Sequence, residues 1–344
     1  MPVTLAEAKN NATDDVDVMV IDEFRKESAI LDALTFDDVV NPAGGGATLT
    51  YGYRRLVTQP TAATRAINAE YTPSNVSTQR YTTDLAVMGG SFQVDRVVAK
   101  IGPNASSAVS LNLAQKIKAT RTKFQDEVIN GDTATDANGF DGLDKALTGS
   151  TTEYLPLNNG VATGYVNWTD FDTDQRAAFK ALDLLDEWLQ LLDGTPTIVL
   201  GNAKALSRVR ALARRAGQYT RDPVDGLIGA NGRPIVRETY GGVIFADPGN
   251  KAGTNNPIIP VETRDTDGAG SGGNITGLTD LYAVRVGLDG FKGLATVGGQ
   301  MVQTWLPDFS TSGAVKTGEV ELGPVGVALM ATKAAAVLRN IKVQ

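Results

Sequence analysis

Between residues 105 and 130, apolar side chains recur at Val109, Leu113, Ile117, Phe124 and Val128, while Lys116, Lys118, Arg121, Lys123, Gln125, Asp126 and Glu127 fall mostly on other faces. A period of about 3.6 residues sustained over about six turns predicts an amphipathic helix with one packed side and a wet remainder. Asn130-Gly131 is expected to end it, since glycine readily takes the left-handed conformation that closes a helix. The string from Asp132 to Gly139 then reads as an exposed loop before Phe140 and Leu143 bury again. A different period governs the preceding region. Ala47, Leu49, Tyr51 and Tyr53 alternate with Thr48, Thr50 and Gly52, and alternation returns at Tyr81, Thr83, Leu85 and Val87. Two such runs predict paired strands. The tip between them, about 25 residues rich in Thr, Ala and Pro, has almost nothing to build a core with, and an isolated hairpin is marginal in water.

Elsewhere the pattern is more ordinary. The acidic segment 14–38 carries Val20, Phe24, Leu31 and Leu34 at helical spacing and reads as a helix with a short second turn. Ala178, Leu182, Leu185, Leu189 and Leu192 mark one face of a helix that Gly194 stops. TPTIVL is a buried strand, 203–215 a further helix, and PIVRETYGGVIFADP and LYAVRVG further strands, so this region is a mixed α/β domain of about 150 residues. The last fifty residues are β-rich and must join a sheet, alongside the long helix. The fold class is α+β.

With 42% hydrophobic and 21% charged residues, the 344-residue chain has the composition of a globular protein with a large core. It contains neither cysteine nor histidine. That excludes disulfides, thiol nucleophiles, Cys/His zinc sites, serine–histidine triads and imidazole proton shuttles. A net charge of −7 argues against a chain-wide basic surface for nucleic acid. No run of about 18 apolar residues suggests a membrane span, and the N-terminus lacks a secretion-signal pattern.

Short motifs fail their context. Gly268, Gly270 and Gly273 spell G-x-G-x-x-G, but no strand-to-helix turn surrounds them. Asp132, Asp136 and Asn138 are spaced somewhat like a calcium loop, with Ala134 where a ligand belongs. Lys316-Thr317-Gly318 lacks the companion motifs of penicillin-recognising enzymes and reads as a turn. No catalytic residue, cofactor or metal site emerges, and a carboxylate-dependent hydrolase is left as a remote alternative. The basic set Lys204, Arg208, Arg210, Arg214, Arg215 and Arg221 is a candidate phosphate-facing patch, with a solvated helix face as the plainer reading.

The order of parts carries a resemblance. An arm with EFRKESAILDAL, a hairpin with RAINAEYTPSN at its tip, the string GGSFQVDR, a long helix ending INGD, then GFDGL, an α/β domain and a β-rich return are similar, over nearly the whole chain, to the major capsid proteins of tailed bacteriophages, the Hong Kong 97 fold. The resemblance implies an N-terminal arm at 1–46 and an extended loop at 47–94 that reaches over the adjacent subunit. It further implies a peripheral domain at 95–141 and 294–344, with the last strand free to return to the axial domain, and an axial domain at 142–293. The implied function is a self-assembling icosahedral head of pentamers and hexamers that encloses DNA without sequence-specific binding, made in the bacterial cytoplasm and resident in the virion. Separate scaffolding, portal and decoration proteins are the implied partners. About a dozen residues precede the arm, so scaffolding is expected from another protein or none. An encapsulin-type nanocompartment shell is the alternative on the same fold.

Some members of that family weld subunits through a lysine of the extended loop, and residues 47–94 contain no lysine. Ion pairs are expected instead. The segment 14–38 carries nine carboxylates, Glu23 and Glu27 among them, against Arg25 and Lys26, whereas the loop carries Arg54, Arg55, Arg65 and Arg80 against Glu70 and Asp84. These arginines, with Glu70, Tyr71, Glu23 and Glu27, are the candidate intersubunit contacts, with the loop arginines meeting acidic residues of a neighbouring arm or long helix. Packing by Ile67, Tyr71 and Val76 is the apolar alternative.

Overall fold

Alternation in AVMGGSFQVD sorts strand β4 (Ala86–Asp95) into two faces, with Ala86, Met88, Phe92 and Val94 buried and Val87, Gly89, Ser91 and Gln93 exposed. The computed structural model describes residues 29–40, 49–100, 108–156, 164–169, 175–217, 220–228, 234–266, 274–296 and 302–344. Strand β4 runs antiparallel to β15 (Val315–Leu329), whose other edge takes β14 (Val302–Trp305) along its first half and β13 (Phe291–Thr296) along its second. Strand β1 (Phe36–Val40) adds in parallel to β13 and completes a five-stranded sheet. Its pairing with β13 overrides the helical spacing read through Asp38; the short helix α1 (Ala29–Ala33) ends before it. Lys316, Thr317 and Gly318 lie within β15 rather than in a turn, because they pair with Val94, Gln93 and Phe92, and a Cβ on Gly318 would meet the Phe92 ring at 2.5 Å.

Helix α2 (Ala108–Asn130) covers the buried face of this sheet. Its apolar stripe packs unevenly, and the buried surface extends beyond it. Val109, Leu113 and Ile117 are only half-buried, whereas Thr120, Thr122, Gln125 and Glu127 are buried along with Phe124, Val128 and Ile129. Most of the second half of the helix is enclosed, and its buried threonines and glutamate are satisfied locally: Thr120 and Thr122 donate to the carbonyls of Lys116 and Lys118 at 2.9 and 2.8 Å, and Lys123 pairs with Glu127, while Gln125 Oε1 has no partner among the described residues. Gly131 does not adopt a positive φ. Glycine is required there for a crossing instead: a Cβ would lie 2.3 Å from the Phe140 carbonyl oxygen, and Gly142 N–H donates to the Gly131 carbonyl at 2.9 Å. The chain turns back over the helix end, which buries Phe140, Leu143 and Leu147, the last two on the short helix α3 (Leu143–Leu147).

The second sheet is centred on β12 (Asn274–Val284), between β16 (Ala335–Lys342) and β7 (Ile198–Gly201), both antiparallel to it. The short strands β5 (Glu153–Tyr154) and β6 (Val166–Asn167) extend it beyond β16. On the other side follow β10 (Val243–Ala246), β9 (Pro234–Tyr240) and β8 (Thr220–Ile228), while β11 (Glu262–Asp265) also pairs with β12. Helices α4 (Gln175–Leu189) and α5 (Ala203–Arg215) pack on one face through Leu185, Trp188, Val209 and Leu212 against Leu281 and Leu338. The opposite face gives Leu200, Tyr282 and Val337 to a core shared with Phe124, Val128 and the first sheet's Val325 and Val327.

These pairings bear on three of the expected boundaries, the last of them a return that the resemblance already allows. The free hairpin ends at Asp84, because residues 86–95 are a strand of the five-stranded sheet. A cut at 294 falls inside β13, which pairs with β15 from Phe291. Strand β16 lies in the nine-stranded sheet with the α/β segment, where six of its residues pair with β12.

Candidate intersubunit surfaces

Period-two alternation gives the hairpin two chemically distinct faces. Strands β2 (Thr50–Thr58) and β3 (Ser77–Asp84) form a two-stranded sheet by themselves. Tyr51, Tyr53, Arg55, Tyr81 and Thr83 turn toward the subunit and are half-buried. Tyr53 stacks between Tyr51 and Tyr81, with ring centroids 5.8 and 5.9 Å away, and the Arg55 guanidinium sits 4.3 Å from the Tyr81 ring centre. Arg55 also donates to the carbonyls of Leu329 and, at 3.2 Å, Met330, and to Thr332 Oγ1 at 3.4 Å. Deeper in the root, buried Lys292 donates to Asp37 Oδ2 at 2.6 Å and to the Tyr51 hydroxyl at 3.4 Å. Burial opposes the lysine's charge, yet the bonds to Asp37 and Tyr51 hold its pKa above the ordinary value. A cleft of about 410 Å³ separates this inner face from Asp141, Gly142 and Lys145.

The opposite face and the tip are open. Gly52, Arg54, Leu56, Thr78, Arg80 and Thr82 are exposed, and Arg54 stands directly opposite Arg80. In the tip, Arg65 donates to the carbonyls of Ala66 and Ala69 at 3.3 Å and lies 5.5 Å from the Tyr71 ring centre. Ile67 is 91% exposed, Tyr71 60% and Val76 52%, and Glu70 is exposed among them. The four loop arginines therefore divide: Arg55 is committed to its own subunit, Arg65 braces the tip, and Arg54 and Arg80 point outward. Glu23 and Glu27 lie outside the described residues, as does the glycine motif at 268–273.

The basic helix divides as well. Lys204 bonds Gln344, and Arg208 donates to the Val343 carbonyl through Nε at 3.3 Å and Nη2 at 3.2 Å, so both fasten the C-terminal strand. Arg214 and Arg215 are exposed in the last turn, where cations suit the helix dipole. Arg210 is half-buried, and the side chain of Arg221 lies outside the described residues. The Asp132 loop is closed by Lys145 at 2.9 Å, and no group of three or more acidic side chains that could hold a metal occurs among the described residues.

Sequence reasoning missed the main buried polar cluster. Arg339 on β16 donates to Glu153 Oε1 at 2.8 Å, to Thr148 Oγ1 at 2.9 Å, to Asp144, and to Asp280 Oδ2 at 3.4 Å. Asp280, buried at a bulge of β12, also accepts from Arg264 at 2.7 Å and from Asn340 N–H at 3.0 Å, and the latter replaces a ladder bond lost at the bulge. The Tyr282 hydroxyl donates to Asp144 at 2.8 Å; burial and then the neighbouring Asp280 and Asp144 charges push its pKa well up, so it stays a donor. The one available signal was a charged residue inside an apolar strand run, as at Asp280 in LTDLYAV and Lys292 in FKGLA.

No protein-family model and no curated protein sequence matches the chain. Solved structures do. The holo-SrpI encapsulin of Synechococcus elongatus PCC 7942 is similar over 100% of this chain and 98% of that one, at 16% identity and TM-score 0.60. The capsid of the empty GTA particle is similar over 98% of each chain, at 14% identity and TM-score 0.54. A Mycobacterium phage Bobi chain is similar over 99% of each, at 14% identity and TM-score 0.54. At such identities the likeness shows the fold, which is the Hong Kong 97 capsid type with its mixed α+β architecture.

Proposed function

We propose that this chain is a major capsid protein whose copies assemble into the icosahedral head of a tailed phage, as pentamers and hexamers around the genome. The observation that carries this reading is the hairpin, which stands on a two-stranded sheet and leaves Ile67, Tyr71 and Val76 exposed, away from the core of the described residues. Burying each such side chain is worth roughly 1.5–3 kcal/mol, so the hairpin is stabilised by contact with a second copy. Closed symmetry multiplies modest contacts, because releasing one subunit breaks several interfaces together. In this reading the hairpin is the extended loop, α2 the spine of a peripheral domain built on the five-stranded sheet, and the nine-stranded sheet the axial domain. The protein acts as a structural component and not as an enzyme; scaffolding, portal and decoration functions belong to separate proteins, and the mature location is the virion.

Electron microscopy of the purified chain tests the reading. Hollow or DNA-filled icosahedral particles are expected; a chain that stays monomeric under all conditions, its hairpin folded back on its own subunit, overturns it. Denaturing electrophoresis of particles should show one band near 36.2 kDa, since the loop has no lysine and Lys292 is buried against Asp37. The encapsulin likeness keeps a second reading open, a nanocompartment shell on the same fold. Particle contents separate the two: packaged DNA supports the phage head, packaged protein the compartment.

A further inference from the structure

Arg54 and Arg80 are directly opposed across the β2–β3 ribbon, on the face that its own subunit leaves open. Like charges in that position destabilise a ribbon. The Arg80 guanidinium folds back over Gly52, where an added Cβ would come 3.1 Å from Nε and Nη2. Neither arginine has an ion pair among the described residues. Of the hairpin's two carboxylates, Asp84 accepts from Thr50 at the root and Glu70 lies at the tip. The ribbon therefore presents a paired cationic site with no counter-anion among the described residues.

A matching anionic surface exists on the five-stranded sheet. Helix α2 covers one face; on the other, the hairpin root covers Leu294 and Ala328, and the part built from β4, β14 and the first half of β15 is open. On that open face Glu319 lies between Ser91 and Trp305, and Glu321 between Gly89 and Gln303. The two carboxylates are two residues apart on one strand, about 7 Å along it. Neither has an ion pair among the described residues. Their β4 neighbours Gly89 and Ser91 are small, so a ribbon can approach the strands closely, and half-exposed Trp305 offers an aromatic face to a guanidinium.

We infer that the Arg54–Arg80 face of one copy's hairpin seats on the Glu319–Glu321 face of a second copy's five-stranded sheet. The inference rests on the reading of the chain as a self-assembling shell protein and names the mating surfaces within it. Opposed side chains in a ribbon start about 5 Å apart, and the length of arginine covers the difference to the glutamate spacing. Planar guanidinium groups then meet carboxylates in the bidentate geometry that favours arginine over lysine. The sheet carboxylates fit better than the arm's because the strand ladder holds two of them at a fixed spacing, whereas at the arm's described end Asp37 is already taken by Lys292 and Asp38 is a single exposed carboxylate.

Charge reversal tests the pairing. Wild-type chain, R54E/R80E, E319R/E321R and the fourfold combination are compared by sedimentation and electron microscopy at low and high salt, with a thermal melt of each unassembled chain. Each double reversal should lower particle yield at low salt by about tenfold or more, and the combination should restore most of it. Wild-type yield from either double reversal overturns the inference, as does failure of the combination to assemble when its melt matches wild type. Rescue of R54E/R80E by Glu23→Lys with Glu27→Lys, in place of the sheet reversal, also overturns it and assigns the arm as partner. Should a reversal fail to fold, R54Q/R80Q is read instead: assembly less sensitive to salt than wild type supports the pairing, unchanged sensitivity opposes it. A wild-type chain that never assembles fails the shell reading itself, a result distinct from all of these.

Discussion

In the nine-stranded sheet, Arg339 finds Asp144, Glu153 and Asp280 within its own chain, and Asp280 in turn satisfies Arg264 and the Asn340 amide. In the hairpin, Arg54 and Arg80 face each other with no paired carboxylate among the described residues, and Ile67 stands almost wholly in solvent. Both regions are built from β-strands with arginine at their centre. The difference is where the complement resides: inside the described subunit for the sheet, and, in the proposed assembly, on a second copy for the hairpin. A buried charge must be answered before the chain is stable, whereas an exposed one can wait for assembly. The root of the hairpin shows the transition, since Arg55 and Lys292 tie its inner face to the subunit while its outer face stays free.

The comparison breaks most readily at Arg339. Arg339→Ala leaves three carboxylates without their shared partner and should cost about 3–5 kcal/mol in urea unfolding of the unassembled chain. A loss below about 1 kcal/mol would mean that water satisfies the cluster, and the sheet would not be self-sufficient. Arg55→Ala, which removes bonds to the corner at Leu329, Met330 and Thr332 from a half-buried position, should cost about 1.5–3 kcal/mol and also reduce assembly, because the hairpin's direction is no longer fixed. The smallest effect on folding belongs to the tip. Ile67→Ser with Tyr71→Ser should change chain stability by no more than about 0.5 kcal/mol yet abolish sedimenting particles. Loss of stability without loss of assembly in that double variant would reverse the assignment of the two regions.

Much of the site was legible one element at a time. Alternation placed Tyr51, Tyr53 and Tyr81 on paired strands, and the scarcity of apolar residues between them marked a segment that could not pack alone. The arginines were legible as a set and misread as one. Strand alternation separates Arg54 from Arg55 by half a turn, but only the position of the Leu329–Thr332 corner decides which side is the inside. The same limit explains Gly131, whose sequence context matches a left-handed helix stop and whose structural role is a crossing beneath the Phe140 carbonyl. Lys292 and Asp280 stood out only as charges inside apolar strand runs; their roles as two separate buried anchors were not legible because their partners lie far away in sequence, at Asp37 and at Arg264, Arg339 and Asn340.

By itself the sequence determined the long helices and the paired strands of the hairpin, the exclusion of cysteine and histidine chemistry, and the presence of a hairpin with little core of its own. These follow from period, composition and local turn chemistry, which neighbouring residues encode. Tertiary structure alone decided that β1 is a strand, that β16 returns to the nine-stranded sheet, and which arginines are satisfied and which still face solvent. Strand partners and ion pairs join residues tens to hundreds of positions apart, and a charge has no assigned role until the fold has placed, or failed to place, its counter-charge beside it.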